Sequence, residues 1–377
     1  KDLQMESGLD SKAIICETAD KNEFTVKTIQ VKAPAAGFVR VQMKYATFSK
    51  HDGMQHAHDS NAEYPYLAGY DGVGIVEQVG EGIEEFEIGD YVSIFLVPGN
   101  PSLTGKSNLS DHAIKILGKG KFWRLPAHLE AYDDDKNLAG FQGVGTWSQY
   151  AVFHAGHLLK LDGEPSLKDA CLGSALGTGL LGPSKILNID EEGSVAIFGS
   201  NSLGLTLVSS VKKTNPKLIV VVGAKEDQEL FEKLGATFVV DEGEPSDIHK
   251  SLMEISGDGY DFTFEASNFS RFGTVALEIC HKGWGKCALL TKASEDDATI
   301  STRPFQLVTG RHWIGSFMGN INIARDHEAL LSAHKELSES IAEYIVPEDH
   351  VVSIDDFPQK WKELSETATY HRTIIQF

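Results

Sequence analysis

From Lys12 to about Asp90, apolar and polar residues alternate in short runs broken by glycines. Val39-Arg-Val-Gln-Met-Lys-Tyr45 is representative, with apolar residues on alternate positions, a period of two that predicts a strand with one buried face. The stretch Ala68-Gly-Tyr-Asp-Gly-Val-Gly-Ile-Val-Glu-Gln-Val-Gly-Glu-Gly82 and then Ile88-Gly-Asp-Tyr-Val92 predict a small barrel whose strands turn on glycine. Residues 98–120 are rich in Gly, Pro, Ser and Asn, and 126–140 hold the acidic run Asp133-Asp-Asp135. Both read as solvated surface loops. Strand pattern returns over Gly145-Thr-Trp-Ser-Gln-Tyr-Ala-Val152, and a helix begins near Lys168.

The pattern then changes. Apolar runs at 195–199, 218–222, 237–240, 261–264 and 286–290 predict strands, and amphipathic stretches at 203–213, 227–234, 248–255 and 271–281 predict helices between them. Strands separated by short helices need crossover connections, so the expectation is an α/β fold with a doubly wound parallel sheet. Past Gly319 helices are predicted at 326–343 and 356–366, and a last strand at 371–377 that rejoins the N-terminal part. The predicted domains are 1–176 plus 320–377, rich in strands, and 177–319, the parallel sheet.

At 377 residues and 41% hydrophobic, the chain has material for two cores. Its net charge of -20 repels nucleic acid and anionic lipid, so neither is expected as a partner. The four cysteines, Cys16, Cys171, Cys280 and Cys287, are far apart, which matches neither a disulfide framework nor a zinc module and suits a reducing compartment. Nothing in Lys1-Asp-Leu-Gln-Met-Glu-Ser-Gly8 resembles a secretory leader, and no apolar run is long enough to span a bilayer. A cytoplasmic location is expected, and an organellar matrix is equally compatible with this composition.

The candidate chemistry begins at Val195-Ala-Ile-Phe-Gly-Ser-Asn-Ser-Leu-Gly204. A strand, a glycine turn and a helix start make a dinucleotide-binding fingerprint when the spacing is G-x-G-x-x-G, because the pyrophosphate approaches the backbone at the helix N-terminus. Gly199 and Gly204 hold the outer positions, Asn201 stands in the middle, and Ser202 and Leu203 complete the turn. A purely structural strand-to-helix turn leaves the same pattern, so its weight depends on the surroundings.

Those surroundings resemble a known family. Gly283-Trp-Gly285, Ile300-Ser-Thr-Arg-Pro-Phe-Gln-Leu-Val-Thr-Gly-Arg311, Gly145-Thr-Trp-Ser-Gln-Tyr150, Leu234-Gly-Ala-Thr237 and His371-Arg-Thr373 resemble class III alcohol dehydrogenase of the medium-chain dehydrogenase/reductase superfamily. The resemblance implies a GroES-like β-rich catalytic domain plus a Rossmann domain, a nicotinamide cofactor and zinc. At the positions matching the family's catalytic zinc ligands, however, stand Ser49, Tyr70 and Ser174, and 98–112, matching the structural zinc lobe, holds no cysteine. Neutral hydroxyls are poor zinc ligands beside thiolate and imidazole, so a zinc-free relative with no metal site is expected. A metal held by His51, His56 and His58 with Asp52 and Asp59 is a minor alternative, since a polar loop containing histidines is far commoner.

Zinc-free branches of the superfamily include quinone and enoyl reductases, and mitochondrial enoyl reductases resemble this chain in placing Asn-Ser where Asn201-Ser202 stand. By the resemblance, Lys50 and Arg372 would touch the pyrophosphate and Thr178 would lie under the nicotinamide; Lys292 is a further candidate near the nicotinamide amide. Gly223 replaces the acid that bonds the ribose hydroxyls in the family, and Lys225 follows. That combination favours NADPH over NADH, while Glu226 and Asp227 beside it act against the preference. Tyr70 is the preferred proton donor, because a phenol can serve a developing enolate without a metal. His51 falls at the family's proton-relay position, and Ser49 and Asp71 share the pocket. Equally, Tyr70 and His51 could merely fill the volume that zinc and its ligands leave.

Two functional readings follow. One is a zinc-independent, NAD(P)H-dependent reductase acting on a small enone, enal or quinone. The other is an inactive relative that keeps the fold as a binding or structural subunit of a larger assembly, supported by the joint loss of zinc ligands, middle glycine and ribose acid. By the resemblance, Arg311-His-Trp-Ile-Gly-Ser-Phe317 would pair two copies as a homodimer.

Overall fold

Alternation with period two produces the strands of the first unit, which comprises Lys1–Ser174, Asn322–Thr367 and His371–Phe377. The computed structural model describes residues 8–18, 24–49, 64–96, 131–133, 136–140, 144–291, 299–316, 318–367 and 369–377. In chain order the strands of this unit are β1 (Leu9–Cys16), β2 (Phe24–Val31), β3 (Phe38–Ser49), β4 (Tyr66–Leu67), β5 (Gly72–Val79), β6 (Tyr91–Ile94), β7 (Ala131–Asp133), β8 (Lys136–Asn137), β9 (Ala139–Gly140), β10 (Tyr150–His154) and β11 (Leu158–Lys160). One sheet runs β8-β7-β2-β1-β4-β9. The other is built on the long β3, which pairs antiparallel with β5 on one side and β10 on the other over part of its length.

Two expectations are corrected here. Residues 131–133, 136–137 and 139–140 are strands rather than loop, β8 and β9 at the two edges of the sheet and β7 next to an edge, with Tyr132 opposite Asn137 and Asp133 opposite Lys136. Strands of two or three residues leave no readable period, and charged side chains are usual at an edge. Strand structure after Gly145 also starts late, at Tyr150, because Trp147 is wholly buried and donates its indole N–H to the Thr47 carbonyl at 2.9 Å. That ring packs on Phe24, Phe48 and Phe357 with centroids 5.0–5.8 Å apart, at distances and tilts favoured by aromatic pairs.

The second unit comprises Ala175–Ile321 and Ala368–Tyr370. Its strands are β12 (Ser194–Phe198), β13 (Leu218–Gly223), β14 (Phe238–Asp241), β15 (Phe262–Glu265), β16 (Lys286–Leu289) and β17 (His312–Gly315). Its helices include α1 (Ser174–Gly182), α2 (Ser202–Lys212), α3 (Gln228–Leu234), α4 (Pro245–Ser256), α5 (Ser270–Glu278) and α6 (Pro304–Val308). All ladders are parallel, in the order β14-β13-β12-β15-β16-β17, the doubly wound arrangement in which strand order reverses beside β12. All five residues of β12 are buried, as expected for a strand covered on both faces. Helix α5 ends at Glu278, three residues before the predicted end, because the chain leaves the helix for the sheet. The Tyr260 amide donates to the Ile279 carbonyl, and Cys280 bridges Tyr260.

The chain then returns to the first unit with α7 (His327–Ser340), α8 (Ala342–Ile345), β18 (Val351–Ser353), α9 (Phe357–Ser365) and β19 (Arg372–Gln376). β19 lies antiparallel on β3, with Arg372 opposite Ser49, so the last strand rejoins the N-terminal sheet as its pattern predicts. Among the described residues no helix is long and apolar enough to cross a membrane.

Candidate functional site

The turn from β12 into α2 is closely packed. Gly199 has φ +127°, a conformation open to glycine, and a Cβ there would meet the Ala266 carbonyl oxygen at 2.8 Å. At Gly204 a Cβ would lie 2.0 Å from the Gly199 carbonyl oxygen, so only a bare backbone lets the helix begin where it does. Asn201 is the N-cap of α2. Its side-chain oxygen accepts from the Gly204 amide at 3.0 Å, and its amide donates to the Ala266 carbonyl. The middle residue of the fingerprint is thus folded back onto the turn. Ser202, Leu203 and Gly204 form the buried first turn of α2. Thr178 is buried in α1, and α1 meets α2 where a Cβ on Gly179 would lie 1.8 Å from the Thr206 hydroxyl oxygen.

At the end of β13 a Cβ on Gly223 would meet the Ser200 Cβ at 2.8 Å. The position carries no side chain because Ser200 fills its space. The Ser200 hydroxyl accepts from the Ala224 amide at 3.2 Å, and Thr369 donates its hydroxyl to the Ser200 carbonyl at 2.6 Å. Lys225 and Glu226 are exposed on the next turn, Asp227 is buried, and the exposed Glu242 follows β14 with its amide on the Gly223 carbonyl at 3.0 Å.

In the β-rich unit a second cluster forms where β3, β5 and β19 meet. The Asp71 and Arg372 side chains are 0% and 4% exposed and lie 3.5 Å apart, with the guanidinium also 3.4 Å from the Thr47 hydroxyl. The Asp71 carbonyl accepts from the Thr47 amide at 3.3 Å and the Thr146 hydroxyl at 3.1 Å. A Cβ on Gly173 would lie 2.2 Å from the Asp71 carboxylate, so this carboxylate rests directly on backbone. The buried Cys171 thiol is pushed up to about 12, first by burial and then by Asp71 and Asp169, with Arg372 opposing. It stays a neutral thiol at physiological pH. Ser49 is buried opposite Arg372, and Tyr70 packs partly against the aromatic core.

Comparison with known proteins supplies the lineage. Residues 35–163 match the model of the alcohol dehydrogenase GroES-like domain, and residues 202–335 match that of zinc-binding dehydrogenase. S-(hydroxymethyl)glutathione dehydrogenase of Saccharomyces cerevisiae is 30% identical over 86% of each chain. The chain belongs to the medium-chain dehydrogenase/reductase superfamily. Among solved structures, an alcohol dehydrogenase zinc-binding domain protein from Burkholderia ambifaria covers 98% of this chain and 99% of its own, with TM-score 0.81 and 17% identity. An alcohol dehydrogenase from E. coli, solved with NADH, covers 98% and 100%, with TM-score 0.74 and 18% identity.

Membership in this superfamily implies a nicotinamide dinucleotide and commonly zinc. The dinucleotide fits the residues present: the spaces that a Cβ on Gly199 or Gly204 would fill keep the backbone of the turn bare at a helix N-terminus, and Asn201 is turned back against it. Two of the positions that match the family's catalytic zinc ligands carry donors poorly suited to zinc. A serine hydroxyl at 49 and a phenol at 70 are weak donors, and the adjacent Asp71 carboxylate faces Arg372. No chemical step is therefore routed through zinc.

Of the predicted site residues, the structure gathers Gly199, Asn201, Ser202, Leu203, Gly204 and Gly223 at one end of the parallel sheet, with Lys225 on the turn after β13. It gathers Ser49, Asp71 and Arg372 in the β-rich unit, with Tyr70 beside Asp71. Lys50, His51 and Lys292 lie outside the described residues, as do His56, His58, Asp52 and Asp59. Sequence reasoning did not find Thr47, Thr146 and Cys171 around Asp71, or Ser200, Glu242 and Thr369 around Gly223. Thr146 and Ser200 lie inside motifs quoted for other reasons, and only the fold brings these residues to Asp71 and Gly223.

Proposed function

We propose that this chain is a zinc-independent, NAD(P)H-dependent reductase that transfers hydride to an activated double bond or carbonyl of a small enone, enal or quinone. The observation that carries the reading is the coexistence of a closely packed phosphate cradle at Gly199–Gly204 with hydroxyl donors at Ser49 and Tyr70. A cradle so tightly specified is retained where a dinucleotide binds. Bound nicotinamide supplies the hydride. The chain supplies the cradle for the pyrophosphate, and Tyr70 donates its phenolic proton to the oxygen on which negative charge develops, to be reprotonated from solvent. Lys225, with no carboxylate at Gly223, supports NADPH over NADH. The exposed Phe305, Leu307 and Val308 of α6 and Trp284 of the same unit, together with β17 as the last strand of the sheet among the described residues, support pairing with a second copy.

The test is titration of the metal-analysed protein with NADPH and NADH, followed by tryptophan quenching, and then an enone and quinone screen with Tyr70→Phe. Expected are micromolar NADPH binding, weaker NADH binding, and a loss of turnover on the order of 10²-fold in the variant with cofactor affinity kept. A folded protein that binds neither cofactor would sink the enzyme reading in favour of a binding or structural subunit.

A further inference from the structure

After β11 the chain passes through Leu161-Asp-Gly-Glu-Pro165 into the short turn Leu167–Leu172. This stretch and α7, both in the first unit, enclose a cleft of about 510 Å³, a volume that suits a small ligand. Glu328, Leu331, Lys335 and Glu339 recur along one face of α7 and line one side. Asp162, Glu164 and Asp169 line the other. Five carboxylates thus stand against the single ammonium of Lys335. Among the described residues Asp162, Glu164, Lys335 and Glu339 form no ion pair, and Glu328 meets its neighbour His327 at 3.6 Å.

Asp169 distinguishes the cleft from an ordinary solvated acidic face. Its side chain is 10% exposed, and its Oδ2 accepts from the Ser166 amide. Its Oδ1 takes no hydrogen bond among the described residues and lies 3.4 Å from the Nε2 of His334, which is itself buried without a hydrogen-bond partner. Burial holds His334 below the usual imidazole range, with Asp169 opposing, so at physiological pH the ring brings no charge to balance the carboxylate. A buried charge left unbalanced is costly, and a cation entering the cleft relieves that cost. The chemistry does not suit a metal ion: among the described residues no three His, Cys, Asp or Glu side chains are grouped to hold one. Nor can one compact ion serve the whole cleft, since Glu328 and Glu339 are separated along the helix by about 16 Å at 1.5 Å per residue.

We propose that this cleft binds a linear aliphatic polyamine, whose ammonium groups meet the buried Asp169 and the exposed Glu328 and Glu339 while the methylenes between them lie on Leu161, Pro165 and Leu331. Spaced positive charges on an apolar stem match spaced carboxylates on a surface that is partly apolar. The occupant joins the 161–169 segment to α7, so binding stabilises the first unit. It takes no part in the hydride chemistry proposed above.

The experiment is isothermal titration calorimetry of the full-length protein with spermine, and with magnesium chloride as the compact cation. Saturable binding of one spermine per chain is expected, with magnesium clearly weaker. Asp169→Asn should weaken spermine about 10-fold, the loss of a charge-assisted contact in a buried place. Glu328→Gln combined with Glu339→Gln, both exposed, should weaken it about 5-fold, which keeps the test open should Asp169→Asn fail to fold. A control pair, Glu191→Gln with Glu192→Gln, removes the same charge from the exposed turn before β12 and should change affinity less than about 2-fold. Equal losses in the control pair and the α7 pair would mark diffuse condensation on a chain of net charge -20 and overturn the inference. So would absent or unsaturable spermine binding, or magnesium bound as tightly as spermine.

Discussion

Removing one member of the Asp71–Arg372 pair should be among the most destabilising single changes in the β-rich unit. At 3.5 Å and an effective dielectric of about 20, the attraction is roughly 332/(20 × 3.5), or about 5 kcal/mol. Water cannot replace the lost partner, because both side chains are essentially buried and the Asp71 carboxylate rests on Gly173. Breaking a buried pair in this way costs about 3–5 kcal/mol, so Arg372→Met is expected to fall in that range. Asp71→Asn, which keeps the shape and some hydrogen bonding, should cost somewhat less. The double variant should cost clearly less than the sum, since neither charge is then stranded. Urea unfolding followed by the emission of Trp147 and Trp361, both buried in this unit, gives the cycle by linear extrapolation.

The result that would refute this reasoning is an Arg372→Met cost below about 1 kcal/mol, the level of a solvated pair, or single costs that simply add. Either would mean that the guanidinium is not committed to Asp71. The pyrophosphate role that family resemblance implies for Arg372 would then become its main one. A large coupling instead makes Arg372 first a structural clamp between β19 and β5, with cofactor contact secondary.

Three further outcomes are expected. Asn201→Ala removes the cap on Gly204 and should lower stability by about 1 kcal/mol in thermal or urea unfolding, whereas an unchanged midpoint would mean the cap contributes nothing. His350 and His371 stack edge to face with centroids 5.0 Å apart, and burial holds both below the usual imidazole range. The His350 ring further lowers His371, and Asp349 opposes. Their stabilising contribution is full above about pH 6.5, where the unfolded chain is also neutral, and is lost as pH falls, at up to about 1.4 kcal/mol per pH unit for each ring. Tm measured from pH 7.5 to 5 should fall less steeply in His350→Gln than in the wild type, and parallel curves would contradict this. Val308, 79% exposed on α6, is the place to test self-association. Val308→Asp should convert a dimer to monomer in light scattering at micromolar concentration, and an unchanged mass would remove this face from the interface.

The parallel sheet was legible because each of its strands is a local signal. From Val195 to Phe198 β12 is apolar without interruption, and the next helix and strand follow within a few residues, so hydrophobic period alone separates the elements. The short strands at 131–140 were not legible, because two or three residues carry no period and the pairing of β7 with β2 spans about a hundred residues. Long range also hid the chemistry in the β-rich unit. Asp71 and Arg372 are 301 residues apart, and each was visible only through resemblance, with a role that did not include the other.

The end of β13 shows most clearly what sequence reading could and could not reach. Read as a string, Gly223 is a lost carboxylate, and Glu226 and Asp227 are acids that weaken the case for NADPH. In the structure the Ser200 side chain occupies the space a residue-223 side chain would need, so an acid cannot return to 223 unless Ser200 also changes. Asp227 is buried and, among the described residues, its carboxyl takes no hydrogen bond, and burial with Glu226 and Glu242 raises its pKa, so its charge depends on pH and not on sequence alone. A single Gly223→Asp substitution should therefore fail to create tight NADH binding. Gly223→Asp with Ser200→Gly should succeed, because only the pair opens room for the new carboxylate. Strong NADH binding by the single variant, measured by tryptophan quenching, would show that the contact between 200 and 223 yields easily and that the argument from space is wrong.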